Sequence, residues 1–373
     1  MASKTLNDCF KEYLTNIAVS QDVKDKLEEV RIAVKSALTR EIGEKTEAEG
    51  QRRKPRFMTQ GSARYKTQNA PCFPPQQQVD YDYGCYLPLS YHENEGRREP
   101  QDASERFFKM VGDILTSLAN RNGWKYEEHK KCCRLIIDDD VHFDVPLYSV
   151  PDEEFKTILD QRAINEGAGM FSSHSDSSVD EEKELEWEEL PTDSIMLATN
   201  DGNGNYTWSD RNDPRLLNVY FERKKDDDRA IYRVLKGWRD YRWEDGEGPS
   251  SIFLMSLAEK IKGGRPFSDD IEMELMNILT RIEGLNLSLN DNGDVVVENP
   301  ADPEDTIKCP SAKFDRLKRF ASEFRGAIQM NLNQSLPVVA MVLRMTHLGD
   351  RFPEVGGDYT PIFRQPPRTT RAG

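Results

Sequence analysis

Two short apolar segments carry aspartates on one face only, and this alternation restricts the fold more than any other feature. In QVDYDYGCY, Asp80 and Asp82 alternate with Val79, Tyr81 and Tyr83; in VHFDVPLY, Asp144 alternates with Phe143 and Val145. Successive side chains of a strand project to opposite faces. Each segment therefore reads as a β-strand with an apolar side for a core and a carboxylate side for something else. An ionised carboxylate in an apolar strand is costly without a counter-charge. Three converging carboxylates repel one another unless cations sit between them, and hard divalent ions such as Mg²⁺ take oxygen ligands. Two such ions bridged by shared carboxylates form a clamp for in-line displacement at phosphorus. Upstream, Gly61-Ser62 in QGSARY forms a turn whose N–H groups and hydroxyl suit the phosphates of a nucleotide. Together these residues point to nucleotidyl transfer.

A D-x-D pair alone is weak, because acidic chains contain many as solvated strand or turn residues. Asp138, Asp139 and Asp140 are of that kind: they lie between two apolar stretches and read as a hairpin turn. Asp80 and Asp82 differ in their company, namely the Gly-Ser turn, the alternation and a third aspartate within a second apolar strand.

The chain of 373 residues can bury a large core and hold two lobes, and with 37% hydrophobic and 31% charged residues it reads as soluble and globular. Its net charge of −15 disfavours gripping a long nucleic acid, since that relies on neutralised phosphates. Nucleotides remain compatible, because bound Mg²⁺ changes the local charge. The N-terminus MASKTLNDCF lacks a signal-peptide core and no run approaches membrane-spanning length. The six cysteines show no C-x-x-C pair, so reduced thiols in a cytoplasm are expected. Cys132-Cys133 near His142 reads as a pair of buried small hydrophobes in preference to a zinc site.

Helical spacing of Val23, Leu27, Val30, Val34 and Leu38 predicts a long amphipathic helix over 22–42. Further helices are expected near 104–120, 215–222, 229–241, 251–262, 269–279, 312–331 and 336–345. Strands are expected over 135–137 and 141–148, with a short strand pair around Asn292-Gly293. Residues 166–191, rich in Ser, Asp and Glu, read as a solvated insertion or lid. The expected organisation is α+β: an N-terminal spine-helix region (1–48), a palm (49–225), a helical lobe (226–349) and a flexible tail (350–373).

The stretches PRFMTQGSARYKTQN, QVDYDYGCYLPL, NGWKYE, HFDVPLYSVP, RVLKGWRDYRW and GPSSIFLMSL, in this order, resemble the cGAS/DncV-like nucleotidyltransferases. The likeness covers about Pro55 to Lys262 and implies a polymerase-β-like palm with a long spine helix and a helical second lobe. It further implies that Asp80, Asp82 and Asp144 bind two Mg²⁺ ions, for which Mn²⁺ can substitute. By the same carry-over Gly61, Ser62, Lys236 and Ser251 contact phosphates, Tyr65 stacks a base, Ser209 and Asp210 read a guanine edge, and Arg134 lies near the acceptor nucleotide. Residue chemistry alone also permits a surface lysine at 236, a core aromatic at 65 and a helix N-cap at 209–210. The family's products are cyclic dinucleotide and trinucleotide signals, which implies ATP and GTP as substrates, a cyclic GMP–AMP-like product and antiphage signalling. Ubiquitin-transfer-like enzymes that join a C-terminal small residue to a target are implied partners for Gly373; a frayed tail is the simpler reading. Rival readings are a linear oligonucleotide synthase, a single-nucleotide transferase and a catalytically silent nucleotide sensor.

Overall fold

The structure, a computed structural model, describes residues 4–50, 52–88, 100–150, 195–209 and 214–357. The acidic insertion at 166–191, Asp210 and Gly373 lie outside the described residues. The chain forms two compact units: Val19–Gln68 with Gln78–Arg223, and Met1–Ala18 with Asn69–Gln77 and Lys224–Gly373.

The first unit is built on an eight-stranded mixed sheet. Its strands are β1 (Arg56–Gln60), β2 (Val79–Pro88), β3 (Lys125–Glu128), β4 (Cys133–Asp138), β5 (Val141–Val145), β6 (Leu147–Val150), β7 (Met196–Asn200) and β8 (Tyr206–Ser209). The order is β3-β4-β5-β2-β6-β7-β8, with β1 antiparallel to β2. β2 is the organising strand: its first half pairs in parallel with β5 and its second half with β6. Pro146 separates those two partners, because it has no N–H to give the ladder. Its carbonyl still accepts from the Cys85 N–H at 2.8 Å. The expected turn at 138–140 joins β4 to β5, with the Asp140 N–H donating to Asp138 Oδ1 at 2.9 Å.

Two helices, Gln21–Ala48 and Pro100–Asn122, cover the apolar face of the sheet. Ser20 caps the first by accepting from the Val23 N–H. Leu27, Val30, Val34 and Leu38 of that helix share one core with Phe107, Phe108, Val111 and Leu115 of the other, and with Tyr83, Phe143, Val145 and Leu147 of the sheet. Each fully buried side chain of this size contributes about 1.5–3 kcal/mol. That core fixes the direction of the opposite, polar face.

The second unit packs the helices Leu6–Asn16, Asp226–Arg242, Ser251–Lys262, Ile271–Gly284, Ser311–Gln329 and Leu336–Leu343 with a hairpin, β9 (Asp294–Asn299) and β10 (Asp302–Pro310). Two sequence expectations are corrected here. The strand pair does not straddle Asn292-Gly293; it turns after Asn299, and only an isolated bridge, Leu289 to Val295, spans the earlier turn. Phe352, within the expected flexible tail, is fully buried against Phe10 and Tyr13. Burying this aromatic ties down the residues around it, which composition alone marks as loose. The helix Leu6–Asn16, closed by a capping box between Thr5 and Asp8, was not foreseen. No described helix is long and apolar enough to cross a membrane.

Candidate metal and phosphate site

Parallel pairing of β2 with β5 sets Asp80 opposite His142 and Asp82 opposite Asp144. Positions two apart share a face, so these four side chains form a two-by-two array on one side of the sheet. The other side is aromatic: Tyr81 stacks on Phe143 with ring centroids 5.1 Å apart. Alternation in each strand, with the core on one side, thus gathers the acidic groups without any long-range design beyond the strand register.

Within the array, one ligand atom from each of Asp80, His142 and Asp144 lies within 4.8 Å of the others. Asp144, only 5% exposed, is held by Arg134, its register partner on β4. The guanidinium donates from Nε to Oδ1 at 2.7 Å and from Nη2 to Oδ2 at 2.6 Å. This two-bond geometry neutralises a carboxylate that would otherwise be expensive to bury. The ring of His142 sits between Gln78 and Asp80: Nδ1 is 3.1 Å from Gln78 Oε1, and Nε2 is 2.8 Å from Asp80 Oδ1. Cys132 and Cys133 stay outside this group, and burial pushes both thiols up, away from the thiolate form that zinc needs.

Asp82, the fourth member of the array, lies against the turn that follows β1. Antiparallel pairing sets it opposite Gln60, so the turn Gly61–Arg64 begins beside its carboxylate. Gly61 has φ +61°, and a Cβ there would run into Oδ2 of Asp82. Only glycine combines this backbone angle with so close an approach. Ser62 follows, half-buried. Tyr65 is 7% exposed with its ring on Phe221, and burial first, then the Asp82 charge, push its hydroxyl pKa up.

The remaining expected residues lie on other elements. Ser209 lies on β8, beyond β6 and β7 from β2. Lys236 and Ser251 belong to the helical unit: Lys236 is 5% exposed on the helix Asp226–Arg242, and Ser251 accepts from Arg239 Nη1 at 3.0 Å. Sequence reasoning passed over His142, considering it only beside the cysteines. Its spacing of two from Asp144 was the available signal.

The carboxylates of half-buried Asp80 and buried Asp144, converging with an imidazole nitrogen, are a donor set that fits a divalent cation. A strand-borne aspartate pair, a third aspartate on the parallel neighbour and a Gly-Ser turn against the pair form the arrangement that the sequence leads one to expect of a nucleotidyltransferase fold. The chain belongs to the cyclic GMP-AMP synthase DncV-like family: residues 55–148 match its nucleotidyltransferase domain and residues 226–334 its C-terminal domain.

A curated relative, a cyclic GMP-AMP synthase of Escherichia coli (strain TW11681), is 31% identical over 271 residues, which is 70% of this chain and 58% of the relative. The chain thus spans well under two thirds of that relative's length. Among solved structures, Vibrio cholerae DncV in complex with the linear intermediate 5′-pppA(3′,5′)pG shares the fold with a TM-score of 0.66 and 20% identity, over 92% of this chain and 96% of that one. A variant of the same enzyme in complex with ATP, GTP and 5MTHFGLU2 gives 0.68 and 21%, over the same shares.

Proposed function

We propose that this chain makes a cyclic GMP–AMP-like dinucleotide from ATP and GTP by two successive nucleotidyl transfers. The observation that carries the reading is the register itself: Asp80, Asp82 and Asp144 on one face of adjacent strands, with Gly61 against Asp82. In each transfer a ribose hydroxyl oxygen bonds to an α-phosphorus, the bond to the β-phosphate breaks, pyrophosphate leaves and the hydroxyl proton passes to solvent. The second transfer, within the linear intermediate, closes the ring.

Mg²⁺ is the cofactor of this reading; a bound pair of ions would make the attacking hydroxyl more acidic and neutralise charge on the leaving group. Asp80, Asp82 and Asp144 are the residues that would hold it. Arg134 keeps the Asp144 carboxylate in one orientation, and Gly61 lets the backbone approach the Asp82 side of the site. Ser62, Lys236 and Ser251 as phosphate contacts, and Tyr65, Ser209 and Asp210 as base contacts, rest on the family resemblance. Support for the substrates comes from relatives named cyclic GMP-AMP synthase and from neighbours whose structures carry ATP, GTP or a linear intermediate.

Incubation with α-labelled ATP and GTP, followed by phosphatase digestion, tests it. A ring keeps its label protected. Release of half the product's label as phosphate would instead establish a linear dinucleotide, whose 5′ phosphate is exposed while its bridging phosphate is not, and complete release would mean that no product formed. A cytoplasmic antiphage role belongs to the same reading and predicts fewer phage plaques on cells that express the chain than on cells expressing it with Asp80→Ala and Asp82→Ala.

A further inference from the structure

His142 shares the carboxylate face yet has no task in the reaction just described. It is 8% exposed, so its hydrogen-bonding groups need partners inside the protein. Nδ1 faces Oε1 of Gln78 at 3.1 Å. The orientation of that amide is settled at its other end, where Nε2 of Gln78 donates to the carbonyl oxygens of Asp138 at 3.0 Å and Asp139 at 3.2 Å. Oε1 is therefore the atom turned toward His142, and it can only accept, so Nδ1 carries a proton. In the neutral ring the lone pair then lies on Nε2. That nitrogen is buried and makes no hydrogen bond, although Asp80 Oδ1 is 2.8 Å away. A lone pair among carboxylate oxygens is repelled unless a cation comes between them. Histidines that ligate metals have this arrangement, one N–H tied to an oxygen and the other nitrogen directed at the ion.

We infer that His142 Nε2 is a direct ligand, with Asp80 and Asp144, of one divalent cation, and that Gln78 sets its tautomer. The inference rests on the metal-dependent reading above and deepens it. A nitrogen ligand changes which ion is preferred. Mg²⁺ selects oxygen and keeps its waters, whereas imidazole suits first-row transition ions. The site thus binds Mn²⁺ or Co²⁺ more tightly, relative to Mg²⁺, than three carboxylates alone would. The turn of Asp138 and Asp139 acquires a purpose as well: its carbonyls anchor the amide that orients the ring. Lys26, through its 2.5 Å ion pair with Asp138, ties that turn to the helix Gln21–Ala48.

The test is pulsed electron paramagnetic resonance on the full chain loaded with Mn²⁺ alone, in unlabelled protein and in protein carrying ¹⁵N-histidine. The expected result is a nitrogen coupling of a directly bound imidazole, shifted by the ¹⁵N label and lost in His142→Ala. Mn²⁺ affinity in Gln78→Leu should fall about 10- to 100-fold, the usual effect of removing a partner of a ligating histidine. Mn²⁺ bound to the wild type with no imidazole coupling overturns the inference and leaves the carboxylate reading intact. The ¹⁵N comparison uses unaltered sequence, so a variant that fails to fold does not blunt it. Absence of Mn²⁺ binding by the wild type would overturn both.

Discussion

Arg134 holds Asp144 by both oxygens, at 2.7 and 2.6 Å, across adjacent antiparallel strands. The family resemblance assigns Arg134 to the acceptor nucleotide, whereas its guanidinium here serves the third aspartate. A carboxylate has about four lone-pair sites, so Asp144 can keep this pair and still offer an oxygen to a cation. The arginine lets the strand fold with its acidic residue buried, and it leaves one face of that residue for the proposed cation.

Removal of Arg134 should therefore destabilise the protein and sensitise it to divalent ions. Arg134→Ala leaves Asp144 buried without its counter-charge, which costs about 2–4 kcal/mol, below the fully buried case because the guanidinium is partly exposed. Urea denaturation should show this loss. Added Mg²⁺ should raise Tm more in the variant than in the wild type, since the ion now supplies the only neutralising charge.

Asp80→Ala with Asp82→Ala should lower nucleotide incorporation by at least about a thousandfold, since bound metal supplies several kcal/mol of the rate acceleration. The circular dichroism spectrum should stay that of the wild type. Full activity in the double variant would end the proposed chemistry.

Gly61→Ala separates strain from chemistry. Placing alanine at φ +61° costs about 1–2 kcal/mol, and the new methyl displaces the carboxylate of Asp82. A displacement near 1 Å can cost about a hundredfold in rate. Activity should thus fall far more than stability, as read by product formation against the urea midpoint.

His347 makes stability depend on pH. Burial first, then the neighbouring Arg242 charge, lower its pKa from 6.5 to about 3. Its ring stacks on Phe324 at 5.1 Å. The unfolded chain takes up a proton near pH 6.5 and the folded chain does not, so stability falls as pH drops from about 6.5 toward 3. At pH 5 the loss is about 2 kcal/mol, from roughly 1.4 kcal/mol per unit. Denaturation at pH 7.5 and pH 5 should show a smaller pH effect in His347→Gln than in the wild type.

Elements with strong periodicity were legible from their side chains. The helices at 215–222 and 251–262 have the expected bounds, and the long spine helix extends past its expected end to Ala48. Hydrophobic repeats carry that information locally. The hairpin of β9 and β10 was misplaced because Asn-Gly is a turn signal wherever it occurs, and the partner strand DPEDTIKCP is too polar to announce itself. Phe352 was missed for a related reason: nothing next to it in the chain shows that Phe10 and Tyr13 receive it.

For the site, alternation alone put Asp80 and Asp82 on one face and Asp144 on the face opposite its apolar neighbours. Those are properties of consecutive residues and need no fold to be read. Which residues stand across from them is a matter of strand register, set by packing between strands that are separate in the chain. Tertiary structure therefore decided that His142 faces Asp80, that Arg134 clasps Asp144 and that Gly61 abuts Asp82.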